Sequence, residues 1–339
     1  MGRATIAPPA TVASPTPEIV APPAETDIRG VVRLTAKELT FQRRVTLALT
    51  VIPLIGFALA VWRLWGTGIS GTDFGIFLGF YCFTGLGVTV GFHRLFTHRS
   101  FKAPLPVRVL IAIAGSMAVQ GPLISWCATH RRHHAFADRY GDPHSPHLAK
   151  APGAKGVLLG LWHAHVGWLA SPERSDPHEW TPDLLSDGAV KRVSDASLWL
   201  TILTFALPAA IGGALTRSFG GALSAFIWGS LLRVFVLQHV TWSINSVCHF
   251  YGKEAYRARD ESRNVWPMAP ISFGESWHNN HHAFPWSARL GLRFWQIDPG
   301  WYLIRTLKWL GLARDVKVPT KAQRDARRIV RRADDRVAA

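Results

Sequence analysis

Nine of the 15 histidines in this 339-residue chain fall into four local groups. His93 and His98 form HxxxxH, His130, His133 and His134 form HxxHH, and His278, His281 and His282 repeat HxxHH. His249 follows Asn245 by about one helical turn. Imidazole is the commonest protein metal ligand. Residues at i, i+3 and i+4 share one face of a helix, so each HxxHH is expected to present three rings to one point. Asn245 and His249 share a face by the same rule. HxxxxH does not: five residues turn an α-helix through about 500°, so its two rings should diverge by about 140°. That pair either serves two metals or spans the end of a helix. A lone histidine near a membrane is ordinarily an interfacial side chain, but a repeated box at one depth is a ligand set.

All-imidazole ligation suits Zn, Cu, Fe or Ni. Nine rings exceed what one ion holds, so two ions are implied. There is no HExxH, which argues against a zinc hydrolase. The carboxylate-bridged di-iron pattern needs two Glu-x-x-His motifs and two further Glu, and only Glu275-x-x-His278 matches. Glu275 and Asp142 are expected instead to orient ligand histidines from behind. His147, His163, His178 and His239 fit no box.

Apolar helices must position these rings. Four stretches can cross a bilayer, a task that takes roughly 20 apolar residues: 45–62, 74–92, 197–215 and 219–250. The stretch from Val107 to Trp126 is apolar but carries Arg108, Gln120 and Pro122, and reads as a re-entrant helix. The 32 residues of the fourth stretch would reach about 48 Å against a hydrocarbon core about 30 Å thick. Its last three turns, with Asn245 and His249, should therefore project from the membrane. With four spans, the N-terminus, residues 93–196 and the C-terminus share one side. These segments hold 35 of the 38 Lys and Arg, which assigns that side to the cytoplasm. A fifth span would put the first two boxes on opposite faces. Arg233 lies inside the fourth span, and the sequence offers it no partner.

Residues 1–40 read as a disordered arm, rich at its start in Pro, Ala and Thr and without a signal peptide. Residues 41–313 form the membrane domain, and 314–339 a basic tail. Trp301 to Leu312 is amphipathic and suits the membrane surface. The net charge of +16 comes with no nucleic-acid motif, so lipid headgroups or phosphate-bearing substrates are the expected partners. Cys82, Cys127 and Cys248 form neither a disulfide framework nor a cluster site. The chain has no His-Pro-Gly-Gly haem segment and no GxGxxG after a strand, so electrons must come from a separate protein.

The segments GFHRLFTH, WCATHRRHH, TWSINSVCHFYG and GESWHNNHHAFP resemble the signature segments of the membrane acyl-CoA Δ9 desaturases, the stearoyl-CoA desaturase family, and most of all its bacterial branch. The resemblance covers roughly residues 45–312. It implies an all-α integral membrane protein of the bacterial plasma membrane, with four transmembrane helices, a cytosolic helical cap holding a di-iron centre, and both termini cytoplasmic. It implies His93, His98, His130, His133, His134, His249, His278, His281 and His282 as ligands of two Fe2+ ions. Asn245 matches the position that reaches the metal through a water, and no catalytic side chain is implied beyond the metal centre. Gln120, Trp126 and Thr241 match residues at the bend of the family's acyl tunnel, and Tyr81 the residue closing its far end. Asp142-Pro143-His144 and His165-Val166-Gly167-Trp168 match family segments that support the fold.

The implied activity is O2-dependent introduction of a cis double bond at Δ9 of a saturated C16–C18 acyl-CoA. Electrons would come from a ferredoxin or flavoprotein reductase. An acyl-lipid desaturase, or an alkane or lipid hydroxylase, is the alternative on the same scaffold. One departure bears on the carrier. Animal members have an Arg-Asp pair after the tryptophan of the second box, which contacts the CoA headgroup; here those positions are Cys127 and Ala128.

Overall fold

The computed structural model describes residues 28–149 and 151–329. Among these, four helices are long and apolar enough to cross a membrane: Ala36–Gly66, Gly71–Thr97, Ser197–Thr216 and Phe219–His249. The first begins at a capping box, in which the Thr35 hydroxyl accepts from the Glu38 amide and Glu38 accepts from the Thr35 amide. That closes two helix-end donors reciprocally. About half of the apolar window of the second and fourth spans is buried (50% and 56%), against 17% for the first and third. The second and fourth are therefore the inner pair, and the first and third offer their side chains to lipid.

The short apolar helix Leu105–Ser116 reaches only about 18 Å. A turn follows it, and the helix Leu123–Phe136 then carries the second histidine box. This is the re-entrant arrangement expected from the sequence. Arg233 closes the buried end of the short helix. Its guanidinium donates to Met117 O (3.3 Å), Thr204 Oγ1 (2.8 Å) and Gly229 O (3.2 Å), and the Thr204 hydroxyl donates to Met117 O at 2.7 Å. Its partners are thus the carbonyl end of a helix, where partial negative charge collects, and a hydroxyl on the third span.

Two corrections concern the ends of the chain. Residues 31–33 and 36–40, expected to belong to a disordered arm, are in regular structure. Val31–Arg33 pairs antiparallel with Glu173–Ser175, with Val31 opposite Ser175, and the first helix starts at Ala36. Residues 1–27 lie outside the described part. The basic tail expected from 314 is docked on the cap as far as it is described. Lys317 N bonds to Ser100 O, Arg257 N to Arg327 O and Ile329 N to Ala255 O. Arg331 and Arg332 lie outside the described residues.

The second span and the re-entrant helix meet through Gly87 and Gly115. A Cβ on Gly87 would overlap the backbone of Ala114 and Gly115, and one on Gly115 would overlap the Phe92 ring. This close approach sets the position of His93 and His98, which follow on the same strand of chain. Gly87→Ala should cost about 1–3 kcal/mol of stability, as overpacking of a well-filled core does, and should reduce iron retained per chain. A thermal unfolding midpoint and iron content equal to the unaltered protein would contradict this.

Candidate metal centre and its cavity

The nine box histidines converge on two adjacent points. His93, His98, His130, His134 and His281 form one group, and His133, His249, His278 and His282 the other. In each group the ligating atoms lie within 4.8 Å of one another. In the first, Nε2–Nε2 separations are 3.0 Å (His93–His281), 3.1 Å (His130–His134) and 2.9 Å (His134–His281). In the second they are 3.0 Å (His249–His278), 3.1 Å (His278–His282) and 3.4 Å (His133–His282). Two nitrogens each about 2.1 Å from one ion lie about 3.0 Å apart at a right angle and about 3.4 Å apart in a tetrahedron. The observed spacings are those of ligands around a shared ion, and the residues fit two metal ions.

The boxes divide differently from the expectation. Each HxxHH does not send three rings to one point. The i, i+4 pair His130 and His134 joins the first group while His133 joins the second. In the third box His278 and His282 join the second group while His281 joins the first. Each helix thus lies between two centres and serves both. His93 and His98 do not serve two metals, because both belong to the first group, with ring centroids 4.8 Å apart; the other reading holds, that the pair spans the end of a helix, since His98 caps the helix that carries His93. The cause is local. Gly87–Thr97 is a π-helix, whose i→i+5 bonding is continued by His98 N to His93 O at 3.1 Å. Bonding of that kind places a residue almost above the one five positions earlier.

Carboxylates stand behind four of the rings. Glu275 Oε2 is 2.5 Å from His93 Nδ1, and both Asp142 oxygens are 3.0 Å from His133 Nδ1. These are the two residues expected to orient ligands. The sequence reading missed Asp138, 2.7 Å from His249 Nδ1, and Asp260, 2.7 Å from His282 Nδ1. Asking which carboxylate faces each ligand ring would have drawn attention to them. It also missed Arg94, wholly buried, which holds Glu275 at 3.3 Å, Asp298 at 2.9 Å and the carbonyl of Ala288 at 2.9 Å. Asn279 and Asn280 clamp the third box. Asn279 accepts from the amides of Ala255 and Tyr256, and Asn280 donates to Leu290 O.

Burial, reinforced by neighbouring rings, holds His98, His130, His134, His278 and His281 well below the ordinary imidazole value. Burial likewise brings His282 down to about 4 despite Asp260. For His133, burial is outweighed by Asp142, and the value rises. Asp138 is opposed by burial but held to about 2 by the hydrogen bond from His249. His133 and His282 likewise hold Asp142 and Asp260 below the usual carboxylate range, against burial. Most of the rings are therefore neutral, with a lone pair free for metal.

A cavity of about 50 Å³ adjoins both groups. Its wall includes His93 and His130 from one group and His278 from the other, with Val88, Trp126, Leu237, Val240, Thr241 and Asn245. Trp126 and Thr241 thus border the cavity, and the Thr241 hydroxyl also bonds back to Leu237 O at 2.8 Å. Tyr81 and Gln120 do not line it. Tyr81 packs behind the lining residue Phe273, with ring centroids 5.5 Å apart. His144 packs on His133 (4.4 Å between centroids), and His165 bonds His239 at 2.9 Å outside the centre. All three cysteines are free.

A membrane-embedded bundle with two histidine groups beside an apolar cavity is the arrangement of a di-metal oxidase acting on lipid chains. The chain belongs to the fatty acid desaturase family, which it matches over residues 73–313. It is 42% identical over 281 residues to the hex-5-enoyl-[acyl-carrier protein] acetylenase of Moorena producens (strain JHB), covering 82% of this chain and 87% of that one. To Delta-9 acyl-lipid desaturase 1 of Arabidopsis thaliana it is 43% identical over 255 residues (74% and 77% of the two chains). To the sn-1 stearoyl-lipid 9-desaturase of Anabaena variabilis it is 38% identical over 252 residues (74% and 85%). Proteins named as acyl-CoA desaturases are also among its relatives. The protein is an oxidoreductase of fatty acyl chains, and its histidine groups form the metal site typical of di-iron desaturases.

His133→Ala should empty or weaken the second group and lower the iron bound per purified chain by half or more. Asp142→Asn should weaken metal affinity by about 10–100-fold, the usual effect of losing a carboxylate behind a ligand ring. Iron titration with a competing chelator measures both, and unchanged retention in either variant would contradict the assignment.

Proposed function

We propose that the protein is an O2-dependent acyl-lipid desaturase that introduces a cis double bond at Δ9 of a saturated C16–C18 chain carried by a membrane lipid. The observation that carries the reading is the cavity itself. It is apolar along much of its wall and bordered by rings of both histidine groups, so a chain lying in it presses one stretch of methylenes against both metal positions. The nine histidines would hold two iron ions, which when bound supply the oxidising power that no side chain has. The chain's own residues hold the geometry. Asp138, Asp142, Asp260 and Glu275 fix the tautomer and tilt of four rings. Asn245, which lines the cavity together with His278, would hold a water against the second group. The narrow cavity excludes bulk water and aligns one methylene pair, which sets position and cis geometry.

A lipid carrier is favoured over CoA by two observations. Cys127 and Ala128 are both fully buried, so this part of the chain presents no charged pair to a CoA headgroup. The Arabidopsis and Anabaena relatives named above are acyl-lipid desaturases. The basic residues gathered on one side support a cytoplasmic location for the metal centre and both termini, where a ferredoxin or flavoprotein reductase would deliver electrons.

Purified protein with such a donor is given either labelled distearoyl-phosphatidylcholine vesicles or labelled stearoyl-CoA. Product two mass units lighter with a cis double bond at carbon 9 is expected from the lipid. Activity on stearoyl-CoA alone would overturn the lipid reading, and a gain of one oxygen would overturn desaturation.

A further inference from the structure

One side of the second histidine group is covered by a single layer of chain. Asp260 Oδ2 is 2.7 Å from His282 Nδ1. The next amide, of Glu261, donates to Asp138 Oδ2 at 2.9 Å, and Asp138 stands behind His249. Arg259 and Glu261, on either side of Asp260, are exposed. Between the surface and a ligand nitrogen there is thus one carboxylate, one hydrogen bond and one imidazole ring. The carboxylates behind His133 and His93 offer no such route. Asp142 is buried, and Glu275 faces the cavity with buried Arg94 beside it.

The covering layer is basic. Residues 253–263 and 321–328 together carry eight basic and four acidic residues. They form one surface: Arg257 N bonds to Arg327 O, the Arg257 guanidinium donates to Ala326 O, and Tyr256 bridges to Arg328. The acids do little to offset the excess at the surface. Asp260 turns inward to His282, and Glu254 and Glu261 are both held by Arg263, at 3.1 and 3.2 Å. Among the described residues, the exposed side chains of Lys253, Arg259, Lys321 and Arg328 have no ion-pair partner. The surface is also fixed relative to the metal ligands. Asn279, within the third box, accepts from the amides of Ala255 and Tyr256, and Asn264 donates to Asn280.

We infer that this surface is the docking site of an acidic one-electron carrier protein, which passes electrons to the second histidine group across Asp260 and His282. Forming a double bond with O2 takes two hydrogens from the chain. Reducing O2 to two waters then needs two further electrons and two protons, so a one-electron carrier must dock twice per turnover. Unpaired cations draw an acidic partner and orient it on approach. The same charge would suit an anionic lipid surface, but its position over the ligand rings is what a redox carrier requires. The inference deepens the desaturase reading and rests on it only for the need of outside electrons.

The test uses the full-length iron-loaded protein in phosphatidylcholine nanodiscs. An acidic plant-type [2Fe–2S] ferredoxin and an acidic flavodoxin serve as separate probes, and binding is measured without turnover. At least one should bind, with affinity falling as salt is raised. Lys253→Glu with Arg259→Glu should weaken that binding about tenfold or more, with iron content unchanged, and the Gln pair should weaken it less. Lys155→Glu with Lys308→Glu makes the same change in net charge elsewhere on the surface and should leave binding within about twofold. Binding of neither probe, or equal loss in both charge-reversed proteins, would overturn the docking site. In a second arm, a water-soluble amine-acetylating reagent is applied and modification of Lys253 and Lys321 is read by mass. Both should react in phosphatidylcholine and in phosphatidylglycerol nanodiscs and be protected by the bound carrier. Protection by phosphatidylglycerol alone would assign the surface to lipid and overturn the inference. Failure of the lipid or desaturation reading shows in the products, whereas failure of this one shows in binding and labelling.

Discussion

Two divalent cations can be held out of water only if their charge is answered close by, because an unpaired buried charge costs far more than a fold can spare. Imidazole ligands bind a metal as neutral rings and so supply bonds but no charge. The four carboxylates behind them, Asp138, Asp142, Asp260 and Glu275, equal the charge of two such ions. Arg94 is matched by Asp298 as well as Glu275, so it need not upset the balance. Much of the cap follows from this arrangement. Asp138 and Asp142 lie just beyond the second box, while Asp260 and Glu275 come from the long connection between the fourth span and the third box. That connection has to fold back over the site to deliver them.

The arginines within and beside the histidine boxes serve the same end from the other direction. Arg131 bonds Asp183 and the carbonyls of Phe96, Thr97 and Trp180, and Arg132 bonds Gly141 O and Glu173. Each ties the helix carrying His130, His133 and His134 to a different piece of the cap. The inner and outer spans divide the remaining labour. The second and fourth spans, half buried, carry ligands and cavity wall. The first and third face lipid, and Thr204 on the third closes the re-entrant helix through Arg233.

The ligand set and the four spans were legible because both rest on periodicity: 20-residue apolar stretches, and histidines repeated at helical spacing. The allotment of rings to two metals was not. It depends on where the axis of each helix runs relative to the two centres, a tertiary fact, so His133 and His281 could not be assigned from their spacing. For His93 and His98 the choice between two metals and a helix end stayed open for a different reason. The 140° divergence holds for an α-helix, and nothing in Gly-Phe-His-Arg-Leu-Phe-Thr-His announces the π-helix that brings the rings together. Asp138 and Asp260 were hidden among other acidic residues until the fold placed them. Arg233 looked partnerless because its acceptors are a hydroxyl and carbonyls, which sequence patterns do not display.

The central claim is that two ions share these nine imidazoles and take no carboxylate directly. X-ray absorption of the purified iron-loaded protein addresses it without reference to activity. Two irons per chain in a nitrogen-rich shell with the multiple-scattering pattern of imidazole is the expected result. A single iron per chain, or a short-bonded carboxylate-bridged pair, would contradict it.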